Sequence, residues 1–469
     1  MLMNTYDLII LGGGASAFAA AIKANELRKK TAIINGGLPA GGTCVNVGCV
    51  PSKALLHAGE ILHMAKNHGV PGIELEIKNF DFNKIVEDEL NMVEKFRNEK
   101  YEKVLKNLEH VTYIEGMASF SDKKEVTVNG KKLTAEKFVI ATGSKANIPP
   151  IEGIKEVGYV THIEALQLKE KPSELAIIGA GPVGIEFAQM YARFGSRVTL
   201  LQNGERILPH GEAELIDRLA ELLEKEGVTI KTGVTVSSAR EENDKKILSY
   251  TADGEVGEVV IDEILLAAGK TANTKSLNLD IPGVEINEHQ AVVVNNSFET
   301  NVPDIYAVGD VTNLPLRLET TAGHEGTLVA ENALSGHSKN IDYDTVPYAI
   351  FTDPGYASVG LTEDAQMQRD GVCACRTVPF AVLPKAGIIR KTEGLIKMGI
   401  HPKTGVILGV HILAPNAADL IAPAVVLVKN QNTIDDIIDS EPVFPTLSEA
   451  TKYVALSFTK DVSQLSCCI

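Results

Sequence analysis

The chain has 469 residues, of which 44% are hydrophobic and 23% charged, with a formal net charge of −16. Such a length holds roughly two to four domains, and the acidic balance argues against nucleic acid or an anionic membrane surface as the main partner. No apolar run reaches the roughly 18 residues a bilayer span needs, the start lacks a secretory leader pattern, and six cysteines do not make a disulfide scaffold, so a cytoplasmic enzyme with a few working thiols is expected.

Residues 6–35 read as strand, Gly-rich turn, helix and strand. The turn is Gly12-Gly13-Gly14-Ala15-Ser16-Ala17, a G-x-G-x-x-A pattern opening an Ala-rich helix that runs to about Leu27. Glycines suit such a turn because a Cβ would block the backbone's approach to a pyrophosphate, and the helix N-terminus offers free N–H groups to it. Next comes Gly41-Gly42-Thr43-Cys44, with Cys49, Pro51 and Lys53 following. Four residues separate the two cysteines, enough for the chain to loop back. Pro51 marks a helix start, which places Cys49 near an N-terminus that favours its thiolate, with Lys53 adding positive charge on the same face. The pattern reads as a redox-active pair poised against a cofactor. Zinc fits less well, because no second ligand pair has matching spacing.

Residues 80–110 read as one long amphipathic helix with Ile85, Leu90, Val93, Phe96, Val104 and Leu108 inward. Residues 138–144 form a strand ending in the small-residue turn Thr142-Gly143-Ser144. A second strand–turn–helix–strand unit carries Gly179, Gly181 and Gly184 in G-x-G-x-x-G spacing. One such motif is weak evidence, but two copies in the right context point to two dinucleotides. The acidic residue that usually holds a ribose hydroxyl is absent from both units: Asn35 and Gln202 occupy those positions. Asn35 can still hydrogen-bond a ribose. The second site does not repel a 2′-phosphate, and Arg206 can pair with one or stand as a solvated loop charge, so NADPH is favoured with NADH possible.

Residues 301–310 read as a strand ending in Gly309-Asp310, which puts a carboxylate at the ligand crevice of an α/β sheet. From about residue 341 the pattern turns to alternating strands and two helices, an α+β domain. There Cys373 and Cys375 alternate along a strand and face one side. They read as structural, with an accessory metal site as the alternative. The chain ends Cys467-Cys468-Ile469. Adjacent Cα atoms lie too close for an easy disulfide, so this pair stays available as a soft-metal clamp.

Together the GGTCVNVGCVPSK stretch, both glycine turns, residues 141–143 and residues 301–310 resemble the flavoprotein pyridine nucleotide-disulfide oxidoreductases over essentially the whole chain. The resemblance implies two Rossmann-like domains and a C-terminal α+β dimerisation domain. They would comprise an FAD-binding domain of residues 1–148 and 273–340, an NAD(P)-binding domain of 149–272, and an interface domain of 341–469. It implies FAD on Gly12, Gly14, Asn35, Gly42, Thr43, Lys53, Thr142, Gly143, Gly269, Gly309 and Asp310. It places the nicotinamide cofactor on Gly179, Gly181, Gly184, Gln202 and Arg206. Lys53 and Glu186 match a pair beside the reactive edge of the flavin, Cys49 matches the thiol facing the flavin, and Cys44 the exchanging thiol. An obligate homodimer is implied as well.

Members that reduce disulfides carry a His-Pro near the C-terminus, and that histidine moves the proton. Here the stretch begins Phe444-Pro445, and phenylalanine moves no proton. Residues 458–468 resemble the C-terminus of the mercuric reductases within the family. That likeness implies Hg(II), presented as a thiolate complex, captured by Cys467 and Cys468 of one subunit and passed to Cys44 and Cys49 of the other. The chain departs from that group at Thr446 and Pro182, where tyrosines are usual, and no N-terminal metal-binding domain is expected. Two alternatives stay open: a dihydrolipoamide-dehydrogenase-like reductase of disulfides or other acceptors, and a thiol-based metal-binding flavoprotein with little turnover.

Overall fold

The computed structural model describes residues 5–466. The apolar run Thr5–Leu11 becomes the centre of a seven-stranded sheet, pairing in parallel with Thr31–Asn35 on one side and Lys131–Ile140 on the other. Leu8, Ile9 and Ile10 are fully buried, as a parallel strand covered on both faces requires. Helix α1 (Ala15–Glu26) follows the first glycine turn and buries Ala17, Ala20, Ala21 and Ala24, small side chains that let it lie close to the sheet. Two helices then meet at Gly48: α2 (Gly42–Val47) and α3 (Cys49–Asn67).

The expected single helix over 80–110 is three pieces. Helix α4 (Phe82–Arg97) gives way to a π-helical turn at Asn98–Glu102 and a last short turn at Lys103–Lys106. Its buried stripe is Phe82, Val86, Glu89 and Val93. Leu90 lies one residue off that stripe and is 39% exposed, so its inward placement is corrected.

The second unit repeats the plan. Glu174–Ile178 pairs in parallel with Arg197–Leu201 and Glu263–Leu266 in a four-stranded sheet, and α5 (Pro182–Arg193) follows its glycine turn. The chain then returns to the first sheet, where Ile305–Ala307 pairs with Lys131–Ile140, and α6 (Glu319–Ser335) packs against α1. The last part is a five-stranded antiparallel sheet. Around it lie six α-helices among the described residues rather than two, because short amphipathic turns such as Ile434–Ile438 and Ala417–Leu420 lack a periodicity long enough to show in sequence. No described helix is long and apolar enough to cross a membrane.

Candidate active site

Several chain segments converge on one cleft of about 950 Å³, counting its open mouth. Of the sequence-predicted residues, Gly14, Thr43, Cys44, Cys49, Lys53, Gly143, Glu186, Gly309 and Asp310 line it. Helix α1 opens on Gly14 with no side-chain cap, which leaves its first N–H groups directed outward. Gly12 has φ +129°, and a Cβ there would stand 2.1 Å from the Ala141 carbonyl oxygen, so only glycine brings the turn this close to the neighbouring strand end. Asp310 lines the cleft as well, its carboxylate accepting a 2.8 Å hydrogen bond from Ser144 Oγ. The N–H of Gly309 donates to Glu325 Oε2 at 2.6 Å. Burial pushes the Glu325 carboxyl up to about 7.

The thiols come from consecutive helices. Gly48 ends α2 and starts α3 without a side-chain cap, so Cys49 stands in a first turn whose free N–H groups favour negative charge. Cys44 and Cys49 are thiols here, not a disulfide, and they are hydrogen-bonded to each other. That hydrogen bond, aided by the Lys53 ammonium, holds Cys49 below the ordinary thiol range. The same bond, with burial, pushes Cys44 up. Lys53 Nζ donates to Glu186 Oε2 at 2.7 Å, and Glu186 Oε1 accepts from the Phe351 N–H at 2.9 Å. The Lys53 ammonium also lies 4.6 Å from the Phe351 ring centre. A residue of the last sheet region thus fixes the pair expected beside the flavin.

Asn35 Nδ2 donates to the Leu38 carbonyl at 2.8 Å and to Tyr113 Oη at 2.9 Å, so its amide nitrogen is already engaged. Thr142 Oγ1 donates to the Asn273 carbonyl at 2.7 Å. The Gly42 carbonyl accepts from Asn46 Nδ2 at 2.8 Å, and the Gly269 carbonyl accepts from the Asn147 N–H at 3.0 Å. None of these four lines the cleft, nor does Gly12. Gly179, Gly181 and Gly184 form the separate turn before α5, whose N-terminus carries no side-chain cap. Gln202 Oε1 accepts the Ala180 N–H at 3.0 Å, bracing the turn. Arg206 pairs with Asp217 at 2.7 Å. Cys467 and Cys468 lie outside the described residues.

Sequence reasoning missed Glu319 and Tyr101. Glu319 opens α6, lines the cleft and hydrogen-bonds the Cys44 thiol. Burial pushes its carboxyl up. Tyr101 Oη donates to Glu319 Oε1 at 3.4 Å from inside the π-helical turn, a feature with no simple sequence signal. His162 lines the cleft too, with burial holding it down at about 4.

The donors fit a flavin dinucleotide. The uncapped α1 terminus and glycine turn suit a pyrophosphate, Asp310 suits a polyol hydroxyl, and the thiols stand beside an ion pair in the same cleft.

Two family models match the chain: pyridine nucleotide-disulphide oxidoreductase over residues 6–333 and the dimerisation domain of the same family over 346–455. A mercuric reductase from Lysinibacillus sphaericus is 37% identical, over 99% of this chain and 85% of that protein. The mitochondrial dihydrolipoyl dehydrogenase of Pisum sativum is 36% identical, over 96% and 91%. Among solved structures, the Cu(II) complex of RclA from Escherichia coli, a HOCl-induced flavoprotein disulfide reductase, superposes with a TM-score of 0.87. It is 27% identical and covers 98% of this chain and 100% of its own.

Proposed function

Since the chain belongs to the pyridine nucleotide-disulphide oxidoreductase family, we propose that it is a mercuric reductase that uses NADPH to reduce Hg(II), presented as a thiolate complex, to Hg(0). The observation that carries this reading is at Phe444. That side chain is 48% exposed and stands where relatives that reduce disulfides have a proton-moving histidine. The glutamate that would orient such a histidine, Glu449, is buried and instead accepts the Thr446 N–H at 2.8 Å. A dithiol substrate would have no acid–base partner there, whereas a soft cation needs only thiolates.

In this reading Gly12, Gly14, Asn35, Gly42, Thr43, Thr142, Gly143, Gly269, Gly309 and Asp310 hold FAD, and Gly179, Gly181 and Gly184 hold the NADPH pyrophosphate. FAD, when bound, supplies a two-electron relay between the nicotinamide and the thiols. Arg206 takes the 2′-phosphate by exchanging it for Asp217. Lys53, held by Glu186, keeps Cys49 as the thiolate, and Cys44 keeps its proton until exchange.

Hg(II) arrives on Cys467 and Cys468 of the partner subunit in a homodimer and moves to Cys44 and Cys49 one bond at a time. Each exchange forms one Hg–S bond as another breaks, and the entering thiol's proton leaves on the departing thiolate. The overall balance is Hg(SR)₂ + NADPH + H⁺ giving Hg(0), NADP⁺ and two RSH.

The test is NADPH oxidation measured together with Hg(0) release, for wild type and for Cys467→Ala/Cys468→Ala, with excess low-molecular-weight thiol. Hg(II)-dependent release that falls at least tenfold in the variant is expected. NADPH oxidation no faster with Hg(II) than without it, or faster with lipoamide, would overturn the proposal in favour of a disulfide reductase.

A further inference from the structure

Outside the cleft, a second pair of cysteines lies on the last sheet. Cys373 precedes the edge strand Ala374–Pro379, Cys375 sits within it, and the two sulfurs are bonded. A carboxylate oxygen of Glu363 lies within 4.8 Å of both sulfurs. Gln366 is 1% exposed, and its Oε1 stands 4.0 Å from Cys375 Sγ while its Nε2 donates to the Leu361 carbonyl at 2.9 Å. Room for that amide exists because Cys375 pairs with Gly399 in the ladder. A Cβ at 399 would stand 2.0 Å from Gln366 Nε2. Lys397 Nζ donates to Glu363 Oε2 at 2.6 Å and to Glu212 Oε1 at 2.8 Å, which supplies positive charge beside the cluster. None of these residues lines the cleft.

The bond between the sulfurs closes a loop with one intervening residue. Cross-links gain stability with the length of chain they close, so a loop this short contributes far less than a long one would. Opened, it leaves two thiols, a carboxylate and a buried amide oxygen converging on one point. Cys375 is held in the ladder and Cys373 stands before the strand begins, so the two sulfurs can separate without unpairing the sheet. Two thiolates form the donor pair that thiophilic d¹⁰ cations select over harder ions.

We propose that Cys373 and Cys375, reduced to the dithiol, form a second soft-metal site that takes a thiophilic cation such as Hg(II) as a bis-thiolate, with Glu363 as an outer oxygen donor. Opening requires a thiol: two RSH reduce the S–S bond, giving RSSR and the two cysteine thiols. Binding from a thiolate complex Hg(SR)₂ then forms two S–Hg bonds as two Hg–SR bonds break, and the two cysteine protons leave on the departing thiolates as two RSH. The site acts as a retention site on the surface of the domain and does not depend on the activity proposed for the cleft.

The test uses the FAD-loaded full-length protein carrying Cys44→Ala, Cys49→Ala, Cys467→Ala and Cys468→Ala, so that only this pair remains. After millimolar glutathione, alkylation should label both Cys373 and Cys375. After incubation with HgCl₂ and excess glutathione followed by desalting, elemental analysis should find about one Hg per chain. Adding Cys373→Ala/Cys375→Ala should reduce that at least tenfold, and Glu363→Gln should lower several-fold the glutathione concentration that strips half of it. Flavin content and elution volume unchanged among the variants show that they are folded. Resistance of the disulfide to glutathione, or Hg retention that ignores residues 373 and 375, would overturn the proposal and leave a structural cross-link only. Turnover of the cleft is not read in this experiment, so a failed mercury activity and a failed surface site give separate results.

Discussion

Cys44 and Cys49 stand within two successive helices that meet at Gly48, beside Lys53 and Glu319 in a cleft. Cys373 and Cys375 flank the start of an edge strand, half-buried, with Gln366 and Glu363 as neighbours. The first pair has a helix N-terminus and a cation, which separate the two thiols into an easily ionised one and a reluctant one. The second pair lies at no helix N-terminus, the Lys397 ammonium beside it is held by Glu363 and Glu212, and its sulfurs are bonded to each other. Reactivity therefore follows from electrostatic surroundings more than from spacing. Here the C-x₄-C at a helix start gives two unequal thiols, whereas the C-x-C at a strand start closes on itself.

Removing each pair in turn separates the two environments by the largest effect. Cys44→Ser or Cys49→Ser should lower Hg(II)-dependent NADPH oxidation by about a thousandfold or more, the size expected when a covalent or ligating group is lost. Cys373→Ser/Cys375→Ser should stay within about twofold of wild type, since neither residue touches the cleft. Steady-state kinetics on both variants decides it. Comparable losses from the two pairs would mean that the outer cysteines take part in turnover.

A smaller effect tests the asymmetry inside the first pair. Cys49 lies below the ordinary thiol range and Cys44 above it. As pH falls, Cys49 should keep its alkylation rate down to a lower pH than a free thiol, while Cys44 loses its reactivity first. Lys53→Met removes a charge that favours the thiolate, so the Cys49 profile should move up by on the order of one pH unit. The turnover parameter kcat/KM should fall about tenfold. Alkylation rate against pH, read by mass spectrometry at each cysteine, provides the measurement. An unmoved Cys49 profile would mean that the Cys44 hydrogen bond alone sets its ionisation.

Much of the cleft was legible in the sequence because its parts obey local rules. The glycine turns are written in residue types that only tight turns need, and Pro51 marks the start of α3, which begins at Cys49. The Lys53–Glu186 pair was reachable through the family resemblance, and the structure places its atoms 2.7 Å apart. What local rules do not carry is contact between distant segments. Phe351 reaches Glu186 from another sheet. Glu319 reaches Cys44 from the first residue of α6, a segment far along the chain from the cysteine. Tyr101 reaches Glu319 because a π-helical turn shifts the phase of the side chains after Arg97, and no apolar period announces such a turn. Gln202 shows a contact of the same kind: its Oε1 takes the Ala180 N–H of the preceding turn, which no sequence pattern announces.

The smallest expected effect concerns stability. In the chain-entropy picture a disulfide stabilises by restricting the unfolded chain, and its contribution grows with the logarithm of the loop it closes. The Cys373–Cys375 loop counts only these two residues and Ala374, for which that relation gives about 1.6 kcal/mol at 25 °C. Two alanines at these half-buried positions lose little packing in exchange. Cys373→Ala/Cys375→Ala should therefore lower the melting temperature of the last domain by no more than a few degrees. Differential scanning calorimetry with the FAD-loaded protein, with and without a reducing thiol, measures it. Wild type with the thiol should match the variant. A drop of ten degrees or more would mean that this pair holds the edge strand in place. The contrast between a working pair and a bystander pair would then be one between two pairs that each hold something, an electron pair in one case and a strand in the other.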